Sequence, residues 1–129
     1  PTTQLNAVSY TSSSKSKKVA YKKSKAKKIK LDGQTSNIYT TGEKTSRWYK
    51  ISITSTKKKR ILNLGKNTVS GGYKFTIYKN GKKKAIKTIK VTENANAKIA
   101  KMPKKKGTYY IRISKLTKKT NGTYEIGYY

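Results

Sequence analysis

Residues 107–129 read GTYYIRISKLTKKTNGTYEIGYY. Two segments of this stretch alternate between apolar and polar side chains, and a period of two is typical of a β-strand with one buried face. Between them stands Asn121-Gly122, a dipeptide that favours a turn because both residues tolerate positive φ. The stretch therefore predicts two β-strands separated by a turn. Their inward-facing residues are Tyr109, Ile111, Ile113, Tyr124, Ile126 and Tyr128.

The same alternation recurs upstream from about residue 29, in short segments separated by Gly, Asn and Lys clusters. Such spacing is typical of an all-β sandwich or barrel. The predicted strands are 34–40, 47–54, 59–64, 72–79, 84–91, 96–101, 108–114 and 122–129. Further inward-facing residues are Tyr49, Ile51, Ile53, Leu62, Leu64, Tyr73, Phe75 and Ile77. The agreement between strands predicts one all-β domain of about eight strands over 29–129, a sandwich or a barrel.

Residues 1–28 have a different composition, rich in Ser, Thr and Lys, with scattered apolar residues and no sustained period. The pattern predicts either a solvated linker between domains or a basic arm that wraps an anionic partner. A short added strand near residues 19–21 is a further alternative. Because the chain starts at Pro1 without a methionine, we expect it to be part of a longer protein.

Three segments together resemble the bacterial pre-peptidase C-terminal domain, a small β-sandwich appended to secreted proteases and collagenases. They are SRWYKISI at 46–53, GGYKFTIYKNGK at 71–82 and the closing stretch 107–129. The resemblance implies that 29–129 is an antiparallel, jelly-roll-like β-sandwich of about eight strands, and it implies an extracellular setting. Arg47 departs from the family, whose members usually carry an acid there. Some members bind calcium through clustered carboxylates, but Asp32 and Glu43 alone make such a site improbable here.

The charge of the chain predicts an anionic partner. Lys and Arg number 33 against four acids, giving a net charge of +29, and thirty of the basic residues are lysine. Lysine acts as a mobile point charge, whereas the planar guanidinium of arginine is better suited to reading base edges. The composition therefore favours diffuse attraction to a polyanion. It also predicts only nonspecific binding of nucleic acid.

The residues needed for catalysis are scarce. The sequence has no Cys and no His, and its acids are Asp32, Glu43, Glu93 and Glu125, with Glu125 at an outward strand position. A glycosidase needs two facing carboxylates, and nothing in the sequence pattern pairs these. We therefore expect no enzyme, no catalytic residues, no metal site and no cofactor. No apolar stretch is long enough for a membrane span.

A candidate binding face follows from the expected topology. Jelly-roll connectivity places the second, seventh and fourth predicted strands side by side, so that their outward residues share one surface. Aromatic rings stack on sugars or bases, and cations pair with carboxylate or phosphate groups. The candidate ligand-binding residues are Trp48, Lys50, Lys74, Tyr78, Tyr110 and Arg112. The alternative is that these aromatics only form cross-strand surface pairs, or that a neighbouring domain covers them.

These observations lead to three functional hypotheses. The first is a secreted or cell-surface bacterial module that binds an anionic polymer, either cell-wall teichoic acid or an acidic polysaccharide. The second is a carbohydrate-binding module for neutral plant polysaccharide that uses the Trp and Tyr side chains. The third is a nonspecific nucleic-acid binder. Lysine runs at 57–59, 82–84 and 104–106, each expected on a turn, add to the positive surface in all three.

Overall fold

A computed structural model describes residues 19–39 and 46–129. Most of the predicted arm, residues 1–18, and Glu43 lie outside the described residues. In the described residues, nine strands form two sheets, and a 3-10 helix, Lys23–Lys25, precedes them. The strands are β1 (Lys27–Lys28), β2 (Gln34–Tyr39), β3 (Arg47–Ile53), β4 (Ile61–Ser70), β5 (Tyr73–Lys79), β6 (Lys87–Val91), β7 (Ala97–Lys101), β8 (Gly107–Lys115) and β9 (Asn121–Tyr128).

The described residues confirm the all-β prediction and contain all eight predicted strands, β2 to β9. Two boundaries were wrong. The fifth predicted strand begins at residue 84, but β6 begins at Lys87. The third predicted strand ends at residue 64, but β4 continues to Ser70. Residues 65–70 look like a turn because Gly, Asn and Ser are common there, yet β4 pairs with β9 along this length and its register shifts between Thr68 and Ser70. Pairing with β9 therefore overrides the local turn preference.

The strand order is that of a jelly roll. One sheet has the order β1-β3-β8-β5-β6 and the other β2-β9-β4-β7. If the antiparallel strands β2 to β9 are numbered one to eight, the sheets read 2-7-4-5 and 1-8-3-6, which is the double Greek-key arrangement of a jelly roll. The second, seventh and fourth predicted strands are therefore adjacent, as expected.

The core lies between the two sheets and contains every inward-facing residue that alternation predicted. Four buried tyrosines, Tyr39, Tyr49, Tyr73 and Tyr124, contact one another at one end of this core. Arg47 is also buried, with no exposed surface. Aromatic side chains bury a large area each, so a chain with few aliphatic residues still fills a two-layer core.

The last part of the predicted arm contacts the first sheet. Lys27–Lys28 pairs in parallel with β3, and the carbonyl of Ala20 accepts a 2.9 Å hydrogen bond from the Trp48 amide. Ala20 and Ala26 are buried. The boundary between arm and sandwich at residue 28 stays a prediction. Within the described part of the chain, no helix is long and apolar enough to cross a membrane.

Candidate binding face

The outer surface of the five-stranded sheet brings most of the candidate residues together. Trp48 on β3 lies opposite Arg112 on β8, and Lys50 lies opposite Tyr110. Tyr78 on β5 lies opposite Tyr110 from the other side. Because side chains alternate along each strand, these residues project away from the core residues beside them. We call the set Trp48, Lys50, Lys74, Tyr78, Tyr110 and Arg112 the aromatic–basic face.

Lys74 lies at the margin of the aromatic–basic face. It pairs with Ser114 on β8. Thr76, the next outward position on β5, pairs with Arg112 and so lies closer to the rings. The other five residues therefore form the central cluster. Arg112 is exposed, and the remaining members of the face are partly exposed.

The rings and cations of this face are in direct contact. The Trp48 and Tyr78 ring centroids are 5.6 Å apart, with an interplanar angle of 37°. The Arg112 guanidinium lies 5.6 Å from the Trp48 ring. Cations at such distances are attracted to the electron-rich ring face. The contacts hold the rings in place beside positive charges.

Lys23, a residue of the predicted arm, also belongs to this surface. Its ammonium lies 5.0 Å from the Tyr110 ring and 5.3 Å from the Tyr78 ring. The 3-10 helix that contains Lys23 lies between Ala20 and Lys28, and the arm pairs with β3 at both of these residues. No local pattern distinguishes Lys23 from the other lysines of the arm, so this contact was not predictable.

The arrangement offers ring surface and positive charge within one patch. Cations fixed on a sheet can pair with carboxylate or phosphate groups, and ring edges or faces can contact a sugar. The same contacts also stabilise the sheet, since cross-strand aromatic pairs contribute about 0.2–1 kcal/mol each. Both the ligand-binding and the sheet-stabilising interpretation of these residues fit this geometry.

The three acids in the described residues lie on separate elements. Asp32 precedes β2, Glu93 follows β6 and accepts a 2.7 Å hydrogen bond from the Gly71 amide, and Glu125 lies within β9. Glu125 lies between two core residues on β9, as predicted for an outward position, but it is only 4% exposed. This burial raises the pKa of its carboxyl. Among the described residues, no three acidic, His or Cys side chains form a cluster that could hold a metal.

Comparison with known proteins identifies the fold. No family model matches the chain, and no curated protein matches it. The pre-peptidase C-terminal domain of a collagenase from Bacillus anthracis superposes with a TM-score of 0.66 at 19% identity, covering 81% of this chain and 95% of that one. A periplasmic inhibitor of g-type lysozyme from Aeromonas hydrophila superposes with a TM-score of 0.51 at 11% identity, covering 81% and 98%. The chain therefore has the fold of a pre-peptidase C-terminal domain, as its residue patterns indicated.

Proposed function

We propose that this domain is a non-catalytic attachment module of a secreted or cell-surface protein. In this proposal it holds the parent protein on an anionic extracellular polymer. The observation that carries the proposal is the aromatic–basic face, where rings and cations share one sheet surface. The net charge of +29 supports an anionic partner. The fold similarity to a collagenase domain and to a periplasmic inhibitor supports a location outside the cytoplasm.

The position of the cations favours an acidic ligand over a neutral one. Lys23 lies over the Tyr78 and Tyr110 rings, and Arg112 lies over the Trp48 ring. A neutral sugar that stacks on these faces has to displace a cation from each ring. An acidic sugar or a polyol phosphate instead pairs with the cations while its carbon skeleton contacts the ring edges.

The polymer classes that fit this chemistry are cell-wall teichoic acid and acidic polysaccharide. Both repeat a single negative charge along a flexible chain, and many weak lysine contacts then add. Nucleic acid also binds by this mechanism, without sequence preference, because phosphate contacts carry no sequence information.

The proposal is tested by retention on teichoic-acid-bearing cell wall and on polygalacturonate. A polymer that makes about three ion contacts with the domain loses affinity at least about tenfold when NaCl is raised from about 0.05 M to about 0.3 M. Trp48→Ala weakens retention about fivefold or more, through lost ring contact. The measurement is a sedimentation isotherm with the insoluble wall, or calorimetry with soluble polygalacturonate.

A matched pair of variants separates the face from total charge. Lys50→Gln/Arg112→Gln and Lys118→Gln/Lys119→Gln each remove two positive charges, and the second pair lies on the exposed turn before β9. We expect the first pair to weaken retention at least about fivefold more than the second. Retention that is unchanged by salt contradicts the proposal. Salt-independent binding to cellulose or xylan that Trp48→Ala abolishes supports the neutral-polysaccharide alternative instead.

A further inference from the structure

Three loops that carry lysine runs meet at one end of the sandwich. Residues 54–60, 80–86 and 102–106 connect β3 to β4, β5 to β6 and β7 to β8. The loops are far apart in sequence, but each contributes to the lining of one cavity of about 580 Å³. Five lysines line it: Lys59, Lys79, Lys87, Lys101 and Lys105. We call this site the lysine cavity, and none of its lining residues belongs to the aromatic–basic face.

The floor of the lysine cavity is apolar and buried. Met102 is 1% exposed and Tyr109 is 0% exposed, and both line the cavity. A concave site with walls of low polarity and charges of one sign focuses the electric field and raises the local concentration of counter-ions. The described residues that line it include no acid to neutralise the lysines.

Two of these positive charges, on Lys79 and Lys105, are close enough to interact. Desolvation and the neighbouring charges of Lys105 and Lys82 lower the pKa of Lys79. Like charges held together disfavour the folded state unless an anion binds between them. The cluster is therefore a destabilising feature of the free protein, and a bound anion relieves it.

Backbone hydrogen bonds hold the loops in position. The Met102 amide donates to the Arg60 carbonyl at 2.8 Å, and the Asn80 amide donates to the Thr108 carbonyl at 2.9 Å. The Tyr109 hydroxyl donates to the Lys105 carbonyl at 2.7 Å, which ties the third loop to the core. The backbone that carries the lysines is thus ordered before any ligand arrives, which reduces the entropy cost of binding.

We propose that the lysine cavity is an anion-binding site for a small ligand, or a polymer segment, that carries two or more closely spaced phosphate or carboxylate groups. The volume exceeds that of one phosphate ion and accommodates the carbon skeleton that links such groups, which packs on the exposed side chains of Ile86 and Pro103. Lysine binds phosphate as a point charge, so several lysines around a cavity suit a multiply charged ligand. This site does not depend on the aromatic–basic face.

The test uses tripolyphosphate and citrate as ligands, with binding followed by calorimetry and amide chemical shifts. Lys59→Gln/Lys79→Gln/Lys105→Gln removes three cavity charges. Lys98→Gln/Lys118→Gln/Lys119→Gln removes three charges from exposed positions elsewhere and is the matched control. We expect the cavity variant to bind tripolyphosphate at least about tenfold more weakly and the control to change less than about threefold. Pyrophosphate, which carries about the same negative charge as citrate near neutral pH, distinguishes the two kinds of group. Tighter binding of pyrophosphate than of citrate supports phosphate groups as the natural ligand, and the reverse supports carboxylate groups.

Thermal unfolding gives an independent readout of the same site. Without anion, the cavity variant unfolds at a higher temperature than the control variant, because mutual repulsion has been removed. It also loses the stabilisation that tripolyphosphate confers on the unsubstituted protein. Lys79→Arg/Lys105→Arg keeps the charge and retains affinity within about threefold. The proposal is overturned if tripolyphosphate affinity falls equally in the cavity and control variants, or if amide chemical shifts change over the whole surface. The variants of the aromatic–basic face described above test the attachment function separately.

Discussion

At the scale of single residues, Arg47 is the side chain whose environment differs most from what its type predicts. It is fully buried, donates a 2.8 Å hydrogen bond to the Ile38 carbonyl, and has its guanidinium 4.1 Å from the Tyr39 ring. It also donates to the Tyr124 hydroxyl at 3.2 Å. Arginine is rarely buried without partners, so these contacts explain how the core accepts it.

Removing the Arg47 side chain should therefore destabilise the fold. We expect Arg47→Ala to lower the free energy of unfolding by about 3 kcal/mol, because it leaves a cavity and deprives the Ile38 carbonyl and Tyr124 hydroxyl of a donor. Arg112→Ala, at an exposed position on β8, should cost less than about 1 kcal/mol. Urea denaturation measures both. Equal effects of the two substitutions would show that Arg47 is not part of the core.

A second residue-scale prediction concerns the paired hydroxyls of Tyr49 and Tyr124, whose oxygens are 2.6 Å apart. Burial raises the pKa of Tyr49 well above its usual range, and the pKa of Tyr124 is also raised by burial. In the unfolded chain, Tyr loses its proton near pH 10. Above that pH the unfolded state binds fewer protons than the folded state, so stability falls as the pH rises.

The Tyr49→Phe variant isolates this contribution. Below about pH 9 it should be about 1 kcal/mol less stable than the unsubstituted protein, through the lost hydrogen bond. Above about pH 10 the unsubstituted protein should lose about 1.4 kcal/mol more per pH unit than the variant, so that the two curves cross and the variant becomes the more stable protein. Both proteins carry the same lysines, whose titration therefore cancels in the comparison. Parallel curves from pH 8 to pH 11 would be incompatible with a protonated, buried Tyr49.

At the scale of elements, the pairing of β4 with β9 is the clearest case of tertiary context deciding local structure. Gly122, the second residue of β9, has a φ of +148° and pairs with Thr68, at the register shift in β4. A Cβ at Gly122 would overlap the backbone of Asn67 and Thr68. The Tyr73 hydroxyl donates to the Gly122 carbonyl at 2.9 Å, which ties the same point to β5.

Gly122→Ala should therefore destabilise the sandwich by more than about 2 kcal/mol, because it combines an unfavourable φ with a backbone clash. Gly81→Ala is the matched control. Its φ is also positive, at +81°, but a Cβ there meets nothing within 4 Å, so only the conformational cost of about 1 kcal/mol applies. Denaturant unfolding of both variants provides the measurement. A Gly122→Ala variant no less stable than Gly81→Ala contradicts the clash.

At the scale of the whole molecule, the net charge of +29 opposes folding. Salt screens repulsion between exposed charges over roughly 8–10 Å at physiological strength. Raising the ionic strength from about 0.01 M to about 0.15 M should therefore raise the melting temperature by several degrees. Scanning calorimetry in NaCl, with sucrose at equal osmolality as the control, measures the effect. A melting temperature that falls or stays constant as NaCl is added would contradict the claim that repulsion among the positive charges destabilises the folded state.

The amino-acid sequence by itself was sufficient for the presence of strands β2 to β9 and for most of the core residues, but not for every strand boundary. Alternation is a local property with a period of two, so it identifies the buried side of each strand wherever one face meets a core. The family resemblance then supplied the strand order, which the two sheets confirm.

Only the tertiary structure decided the burial of Arg47, the contact of Lys23 with Tyr78 and Tyr110, and the lysine cavity. Each depends on residues distant in sequence meeting at a loop or strand end, where no periodic pattern operates. Three loops that contain lysine runs look alike in sequence whether they lie apart or meet at one end of the sandwich. Their convergence follows from sheet packing, which brings the loops after β3, β5 and β7 to the same end of the sandwich.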